Sequence, residues 1–338
     1  MRIIELFAGI GACSTALKRI GQDIEIIDAV EIDKYAIASF NAIHGTNFET
    51  QDITLWDKDC KDIDLITHGS PCQDFSVAGK QAGGDIGSGT RSSLMYETIR
   101  IVGKIRPKYV LWENVKNVLS KKHKHNFDAY IETMKNLGYT SYYQVLNAKD
   151  YGIPQNRERV YTISIRNDIN KSFNFPDREI LKLRLKDMLE ENVEEKYYLK
   201  ESTLNNYNRE FGSKGKLQEE ICDTLQAAMG NGGGNVPIIY EKPLERKGWH
   251  RKACEVLNIK GITTCIHTQS NNLLQKIKEE KTCRIRKLIP KECWRLMGFA
   301  DEDFEKAQSV PMSNTQLYKQ AGNSIVVNVL EKIFKQLF

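Results

Sequence analysis

Met1-Arg2-Ile3-Ile4-Glu5-Leu6-Phe7 runs without a break into Ala8-Gly9-Ile10-Gly11-Ala12, and this junction decides the fold. Ile3 to Phe7 is an apolar run of strand length, and the glycines supply a tight turn. A helical pattern through Leu17 and Ile20 follows, with Gly21 as its stop. A second strand, Ile24 to Ile32, carries Glu31. A Gly-x-Gly turn followed about 20 residues later by an acid is how a parallel sheet binds a nucleoside: the backbone approaches closely at the turn and the carboxylate takes the ribose hydroxyls. Ser14 stands where the dinucleotide fingerprint has its third glycine, so this feature leaves two readings open, a nicotinamide cofactor or another nucleoside cofactor.

Outward from that unit, residues 1 to about 166 alternate apolar β runs with helical patterns, the signature of a parallel sheet covered by helices. The run Ile63-Asp64-Leu65-Ile66-Thr67-His68 leads into Gly69-Ser70-Pro71-Cys72-Gln73, which sets a thiol at the carboxyl edge of a buried strand. Ligands bind at that edge of an open parallel sheet. An isolated cysteine is more often a small buried apolar side chain. Here Pro71 restricts the backbone beside it, Gln73 supplies an amide, and Gly79, Gly83, Gly84, Gly87 and Gly89 make the next segment suited to a lid. Gln51-Asp52-Ile53 offers an acceptor for an adenine amino group, or simply a capping aspartate.

Ser92 to Ile105 has helical spacing and leads into Tyr109-Val110-Leu111-Trp112-Glu113-Asn114-Val115, where a carboxyl ends an apolar strand. Buried glutamate is rare unless paired, so Glu113 is a candidate site residue. A helix near Asn126 to Leu137, a strand near Tyr142 to Leu146 and the turn Tyr151-Gly152-Ile153-Pro154 come next. The closing strand, Arg159 to Ile165, is preceded by Gln155-Asn156-Arg157-Glu158. Arginines of alternating phase at a strand end serve either as a surface ladder or as a clamp on a planar ligand. From about residue 168 the chain becomes highly charged, then loop-rich through Asp223-Thr224-Leu225 and Met229-Gly230-Asn231-Gly232-Gly233-Gly234-Asn235, reading as a second, irregular domain. A polar helix Pro290 to Met297 follows, and Gln320-Ala321-Gly322-Asn323-Ser324 runs into an amphipathic helix, Ile325 to Phe334, for which Asn323 and Ser324 are good N-caps.

Composition sets the outer bounds. The chain has 338 residues, 41% of them apolar and 28% charged, and the mean hydropathy is −0.47, which argues against wholesale disorder and membrane spanning. The first residues lack a signal-peptide core, so a cytoplasmic location is expected. Eight scattered cysteines contain no Cys-x-x-Cys pair, and neither they nor the six histidines have zinc-site spacing, so free thiols and no metal are expected. The formal net charge of +5 is too modest to establish a polyanionic partner by itself. Lys121-Lys122-His123-Lys124-His125 and the segment from Lys281 through Arg284, Arg286 and Lys287 are candidate phosphate-binding faces, against the commoner reading of solvated charge.

Taken together, these stretches resemble the DNA cytosine-5 methyltransferase family, in order along nearly the whole chain. The family's cofactor turn matches Glu5 to Gly11, its ribose acid Glu31, its adenine-contacting acid Asp52, and its nucleophile loop Ser70-Pro71-Cys72-Gln73. Its Glu-Asn-Val element matches Glu113-Asn114-Val115, its Gln-x-Arg-x-Arg element Gln155 to Arg159, and its closing element Gly322-Asn323-Ser324. The chain departs from the pattern at Gln51, commonly glycine, and at Ile289, frequently threonine. The Thr-Leu dipeptide of the recognition domain has two candidate locations, Thr224-Leu225 and the stretch around Thr264.

The resemblance implies an α/β fold: a Rossmann-like S-adenosylmethionine-dependent methyltransferase sheet with a smaller, irregular target-recognition domain. It implies a catalytic and cofactor domain over residues 1–184, a recognition domain over 185–315, and a segment 316–338 returning to the first. It assigns catalysis to Cys72, Glu113, Arg157 and Arg159, and S-adenosylmethionine binding to Phe7, Gly9, Gly11, Glu31, Asp52, Ile53, Leu94, Asn323 and Ser324. DNA contacts fall to Gln73, Arg91, Thr224, Leu225 and Thr264. It further implies a monomer acting on double-stranded DNA, with any cognate restriction endonuclease acting separately.

The chemistry needs these residue types. Carbon 5 of cytosine is a poor nucleophile, and thiolate attack at C6 converts the ring to an enamine reactive at C5. A free thiol is only about 3% ionised at pH 7, so Cys72 requires a positive or hydrogen-bonding environment. For Glu113 to hold a proton for N3 at pH 7 its pKa must rise by nearly 3 units, roughly 4 kcal/mol of desolvation. By the resemblance, Arg159 would contact the cytosine carbonyl and Arg157 would support the lid or base. The target base must leave the duplex stack, which accounts for a lid beside the nucleophile. Water takes the C5 proton. An oxidoreductase would share the glycine turn but has no use for Cys72, Glu113 and Arg159 together. A tRNA cytosine methyltransferase would share nearly every catalytic element but has less need of a large irregular domain. A catalytically dead DNA-binding relative would not keep every reactive position filled.

Overall fold

Arg2–Leu6 forms β1, and Ile3, Ile4 and Leu6 are all essentially inaccessible to solvent. A strand buried on both sides belongs at the centre of a parallel sheet covered by helices on two faces. In this computed structural model, which describes residues 1–71, 94–199, 217–218, 221–231, 236–241 and 284–338, the rest of the chain supplies that cover. Cys72, Gln73, the glycine-rich lid, Arg91 and Thr264 lie outside the described residues.

β1 is followed by α1 (Ala12–Arg19), β2 (Glu25–Val30), α2 (Lys34–His44), β3 (Leu65–His68), α3 (Met95–Ile105), β4 (Tyr109–Val115), α4 (Lys124–Asn136) and β5 (Tyr139–Asn147). The short β6 (Gln155–Asn156) precedes β7 (Glu158–Arg166). Six strands make one sheet in the order β2-β1-β3-β4-β7-β5. The first four are mutually parallel, whereas β7 runs antiparallel to both β4 and β5. The sheet is therefore mixed, which corrects the expectation of a purely parallel one. The connection from β5 to β7, residues 148–157, is a loop that carries β6 rather than a helical crossover, and strands joined without a crossover lie antiparallel.

Successive residues of each strand enter opposite cores. Ile3, Leu65 and Leu111 pack with α1 on one face, while Ile4, Ile66, Val110 and Trp112 pack with α3 and α4 on the other. From β1 the chain passes to β2 on one side and later to β3 on the other, so a crevice opens between the carboxyl ends of β1 and β3.

The later chain contributes β8 (Leu217–Gln218), β9 (Cys222–Asp223), β10 (Ile238–Glu241) and β11 (Arg284–Lys287). β8, β10 and β11 make a small sheet, and β9 pairs with β6. Helices α5 (Pro290–Arg295), α6 (Asp301–Gln308), α7 (Asn314–Asn323) and α8 (Val327–Leu337) complete the chain. Trp294 and Phe304 share a core with α1 and α8. None of the helices among the described residues is long and apolar enough to cross a membrane.

Three further expectations are corrected. Asn323 ends α7 and Ser324 is its C-cap, so neither is the N-cap of the final helix, which starts at Val327. Arg286 cannot belong to a phosphate-binding face, because its guanidinium is wholly buried in a two-pronged ion pair with Glu292, at 2.9 and 2.7 Å. His123 is buried as well, while Lys121 and Lys122 beside it are exposed. At the other departure, Ile289 offers no hydroxyl to cap α5. Glu292 supplies the complementary half of the cap by accepting from the Ile289 N–H at 2.8 Å.

Candidate active site

The cleft at the carboxyl edge of the sheet is lined by the turn after β1, by His68 and Gly69 after β3, by Glu113 near the end of β4, and by Asn323, Ser324 and Ile325. The turn is wound tightly. Phe7, Gly9 and Gly11 all have positive φ, and a phenylalanine in that region is a strained residue of the kind that functional sites retain. The Gly9 N–H donates to Glu31 Oε2 at 2.9 Å, and Glu31 Oε1 accepts from the Asp33 N–H at 2.9 Å. Two backbone donors therefore hold the Glu31 carboxylate beside the turn, although burial raises its pKa and outweighs them.

Gly9 and Gly11 do different work. A methyl group on Gly9 would meet nothing, so its backbone faces open space on the cleft side. On Gly11 it would collide with His44 and Phe40, so that glycine is demanded by packing against α2 and lies outside the cleft lining. Ser14, in the position of the missing third glycine, donates its backbone N–H and hydroxyl to Glu5 Oε1. The sequence places Glu5 at the start of the cofactor turn without giving its side chain a role. Glu5 is almost wholly buried on the cleft wall, and burial pushes its pKa up to about 7 against the Ser14 bonds.

Asp52 caps the following turn, accepting from the Thr54 N–H at 2.9 Å and hydroxyl at 2.8 Å. It also lines a neighbouring depression with Gln51, Leu55 and Trp56. Gln51 has a reason to replace glycine: its amide donates to the buried Asp28 carboxylate at 2.8 Å, and Trp56 Nε1 donates to the other oxygen at 2.7 Å. The Ile53 side chain is part of the core rather than the depression, and Leu94 is half-buried at the start of α3. Two exposed apolar side chains, Ile32 at 70% and Leu55 at 81%, follow Glu31 and Asp52 in the chain; the sequence reading takes Ile32 into the strand, which ends at Val30.

Trp112, Glu113 and Asn114 fix the other wall. Trp112 Nε1 donates to Ser70 Oγ at 3.1 Å, and Asn114 Nδ2 donates to the Ser70 carbonyl at 3.2 Å. These bonds hold the loop that leads to Cys72 against the end of β4. A methyl group on Gly69 would stand 3.7 Å from Glu113 Oε2, so the same loop passes the carboxyl closely. Behind it, His68 stacks on Trp112 and shares a hydrogen bond with the Tyr130 hydroxyl at 3.1 Å, and burial pushes its pKa down to about 3.

Glu113 is 8% exposed and its Oε1 lies 3.1 Å from Arg159 Nε, brought there by the antiparallel β4–β7 register. Burial raises the Glu113 pKa, and the Arg159 and Arg157 charges oppose the rise without cancelling it. Arg157, in contrast, is buried and spends its guanidinium on the carbonyls of Leu225, Gly322 and Ser324. Thr224 and Leu225 are fastened too: the Thr224 hydroxyl donates to the Asn156 carbonyl at 2.7 Å and the Leu225 N–H to Gln155 Oε1 at 3.1 Å. Leu225 is buried.

Comparison with known proteins matches residues 1–338 to the model of the C-5 cytosine-specific DNA methylases. The type II methyltransferase M2.ScrFI of Lactococcus lactis subsp. cremoris is 35% identical, over 100% of this chain and 99% of its own. The orphan methyltransferase M.SPBetaI of Bacillus phage SPbeta is 34% identical over 100% and 97%. The type II methyltransferase M.HhaI of Haemophilus parahaemolyticus is 34% identical over 98% and 93%. Among solved structures, the Entamoeba histolytica methyltransferase EhMeth superposes with a TM-score of 0.73 at 18% identity, covering 100% of this chain and 98% of its own, a likeness of fold alone.

Proposed function

The chain belongs to the C-5 cytosine-specific DNA methylase family, and from that premise we propose that it methylates C5 of a cytosine swung out of duplex DNA, through a covalent bond between Cys72 and C6. The observation that carries this reading is the Glu113–Arg159 pair at 3.1 Å, beside the loop that leads to Cys72. A carboxyl whose pKa burial raises is suited to donate to N3, and a guanidinium to donate to the adjacent carbonyl O2. Together they match the edge of a cytosine that has left its partner.

The residues divide the work as follows. The Cys72 thiolate adds to C6, the C5–C6 electron pair shifts between C4 and C5, and the C4–N3 pair takes the Glu113 proton at N3, leaving an enamine nucleophilic at C5. Once C5 carries the methyl group, loss of the C5 proton to water re-forms the C5–C6 double bond and expels the Cys72 thiolate, and N3 returns its proton to Glu113. Trp112 and Asn114 set the direction of the nucleophile loop through Ser70.

The cofactor of this reading is S-adenosylmethionine, which supplies an electrophilic methyl on a sulfonium. The residues fit its nucleoside half: Glu31 is anchored beside the Gly9 turn for the ribose, Asp52 offers an acceptor, and exposed Ile32 and Leu55 provide apolar flanks for a base. Phe7, Asn323 and Ser324 line the cleft where the remainder would lie. In this reading residues 1–184 bind cofactor and catalyse, and sequence choice belongs to the segment 185–315. The packing of Trp294 and Phe304 with α1 and α8 supports drawing the end of that segment nearer Leu288.

The test is tritiated methyl transfer from S-adenosylmethionine into duplex DNA, with bisulfite sequencing of DNA from expressing cells to map the site. Label entering tRNA but not duplex DNA would overturn the reading.

A further inference from the structure

We propose that Arg157 is a positioning residue that couples the recognition segment to the rim of the cofactor cleft, so that DNA and cofactor each tighten the other's binding. The proposal rests on the methyltransferase reading above. One guanidinium holds three carbonyls that are remote in sequence: Leu225 at 2.9 Å through Nη1, and Gly322 and Ser324 at 3.2 and 2.8 Å through Nη2. Ser324 lines the cleft, and Leu225 lies just after the strand β9.

The junction is hydrogen-bonded on both sides. β9 is hydrogen-bonded to β6, and the Cys222 N–H donates to the Pro154 carbonyl at 2.8 Å. Gln155 accepts from the Leu225 N–H at 3.1 Å and donates to the Leu296 carbonyl at 2.7 Å. A methyl group on Gly322 would collide with the backbone of Gln226 and Ala227, so the rim and the recognition segment are in direct main-chain contact. A ligand that orders one partner of such a junction orders the other, and linkage makes the effect reciprocal. Thr224 and Leu225 thereby act as the fixed root of the recognition segment, with base reading left to residues beyond it.

The experiment measures the dissociation constant of a duplex carrying the bisulfite-mapped site, with and without saturating S-adenosylhomocysteine, for the full chain and for Arg157→Lys. Lysine keeps the charge but is a single point donor and cannot span three carbonyls. The expected ratio is about five-fold or more in the native protein, the lower end of typical couplings, and about one in Arg157→Lys. Gly322→Ala, which wedges the same junction apart while leaving the Arg157 side chain itself unaltered, is expected to lower the ratio too, and it serves alone if Arg157→Lys fails to fold. A merely structural role would weaken both affinities by the same factor and leave the ratio unchanged, and that result overturns the proposal. So does a native ratio of one in a protein that methylates DNA. Absence of methylation and of cofactor binding in the native protein would instead count against the methyltransferase reading.

Discussion

Replacing Glu113 by glutamine separates proton donation from binding. The substitution is isosteric and keeps an oxygen to face Arg159 Nε, which lies 3.1 Å from Glu113 Oε1. What is lost is the proton for N3. General acid catalysis contributes about 10²–10⁴ in rate, so the loss is about 3–5 kcal/mol of transition-state stabilisation. The pH dependence has a definite sign. Burial raises the Glu113 pKa against the pull of Arg159 and Arg157, so the acid form persists to higher pH than usual and the rate falls as pH rises through that shifted value. In Glu113→Gln this alkaline limb should disappear. Stability gives an independent check. A carboxyl whose folded pKa is raised contributes most below its unfolded pKa and loses that contribution as pH rises, so the variant should melt no earlier than the native protein at pH 8. The assay is single-turnover methyl transfer from pH 6 to 9, with duplex affinity measured alongside. A rate within tenfold of native, or an affinity falling in parallel with the rate, would refute proton donation and make Glu113 a binding residue.

Cys72→Ser should abolish turnover while retaining cofactor binding, and 5-fluorocytosine DNA should trap a covalent adduct only when Cys72 is present; an adduct at another cysteine would reassign the nucleophile. Glu5, pushed by burial from 4.5 up to about 7, should make the native protein lose about 3 kcal/mol of stability between those pH values, and Glu5→Gln should flatten that slope in urea titrations. An unchanged slope would mean that Glu5 is not the group responsible. Arg286→Met strands a fully buried Glu292 and should cost about 3–5 kcal/mol, with more than half recovered on adding Glu292→Gln, again by urea denaturation; equal costs for single and double variants would contradict a buried charge as the cause. Exchanging residues 217–280 for the corresponding segment of a relative of known specificity should transfer that specificity with the Cys72 chemistry unchanged. An active chimera that still methylated the original site would put recognition in the catalytic domain or its lid.

The β1–turn–α1 unit, β3, β4 and α4 were legible in the sequence because apolar period and turn glycines are local signals, written in adjacent residues. The ordered motifs likewise determined the family and named Glu113, whose place at the end of an apolar strand is a local fact. The direction of β7 was not legible, since whether a strand lies parallel or antiparallel to its neighbour depends on a partner chosen elsewhere in the chain. The same holds for side chains whose meaning is their partner. Arg286 read as a surface cation until Glu292 enclosed it, and the need for glycine at position 11 comes from His44 and Phe40, which only the folded chain brings behind it. Arg157 read as a lid support, and the carbonyls it holds come from 68 to 167 residues further along the chain. Periodicity carries what a residue does within its own element; contacts closed by tertiary packing leave no mark on their sequence neighbours, and only the folded chain decides them.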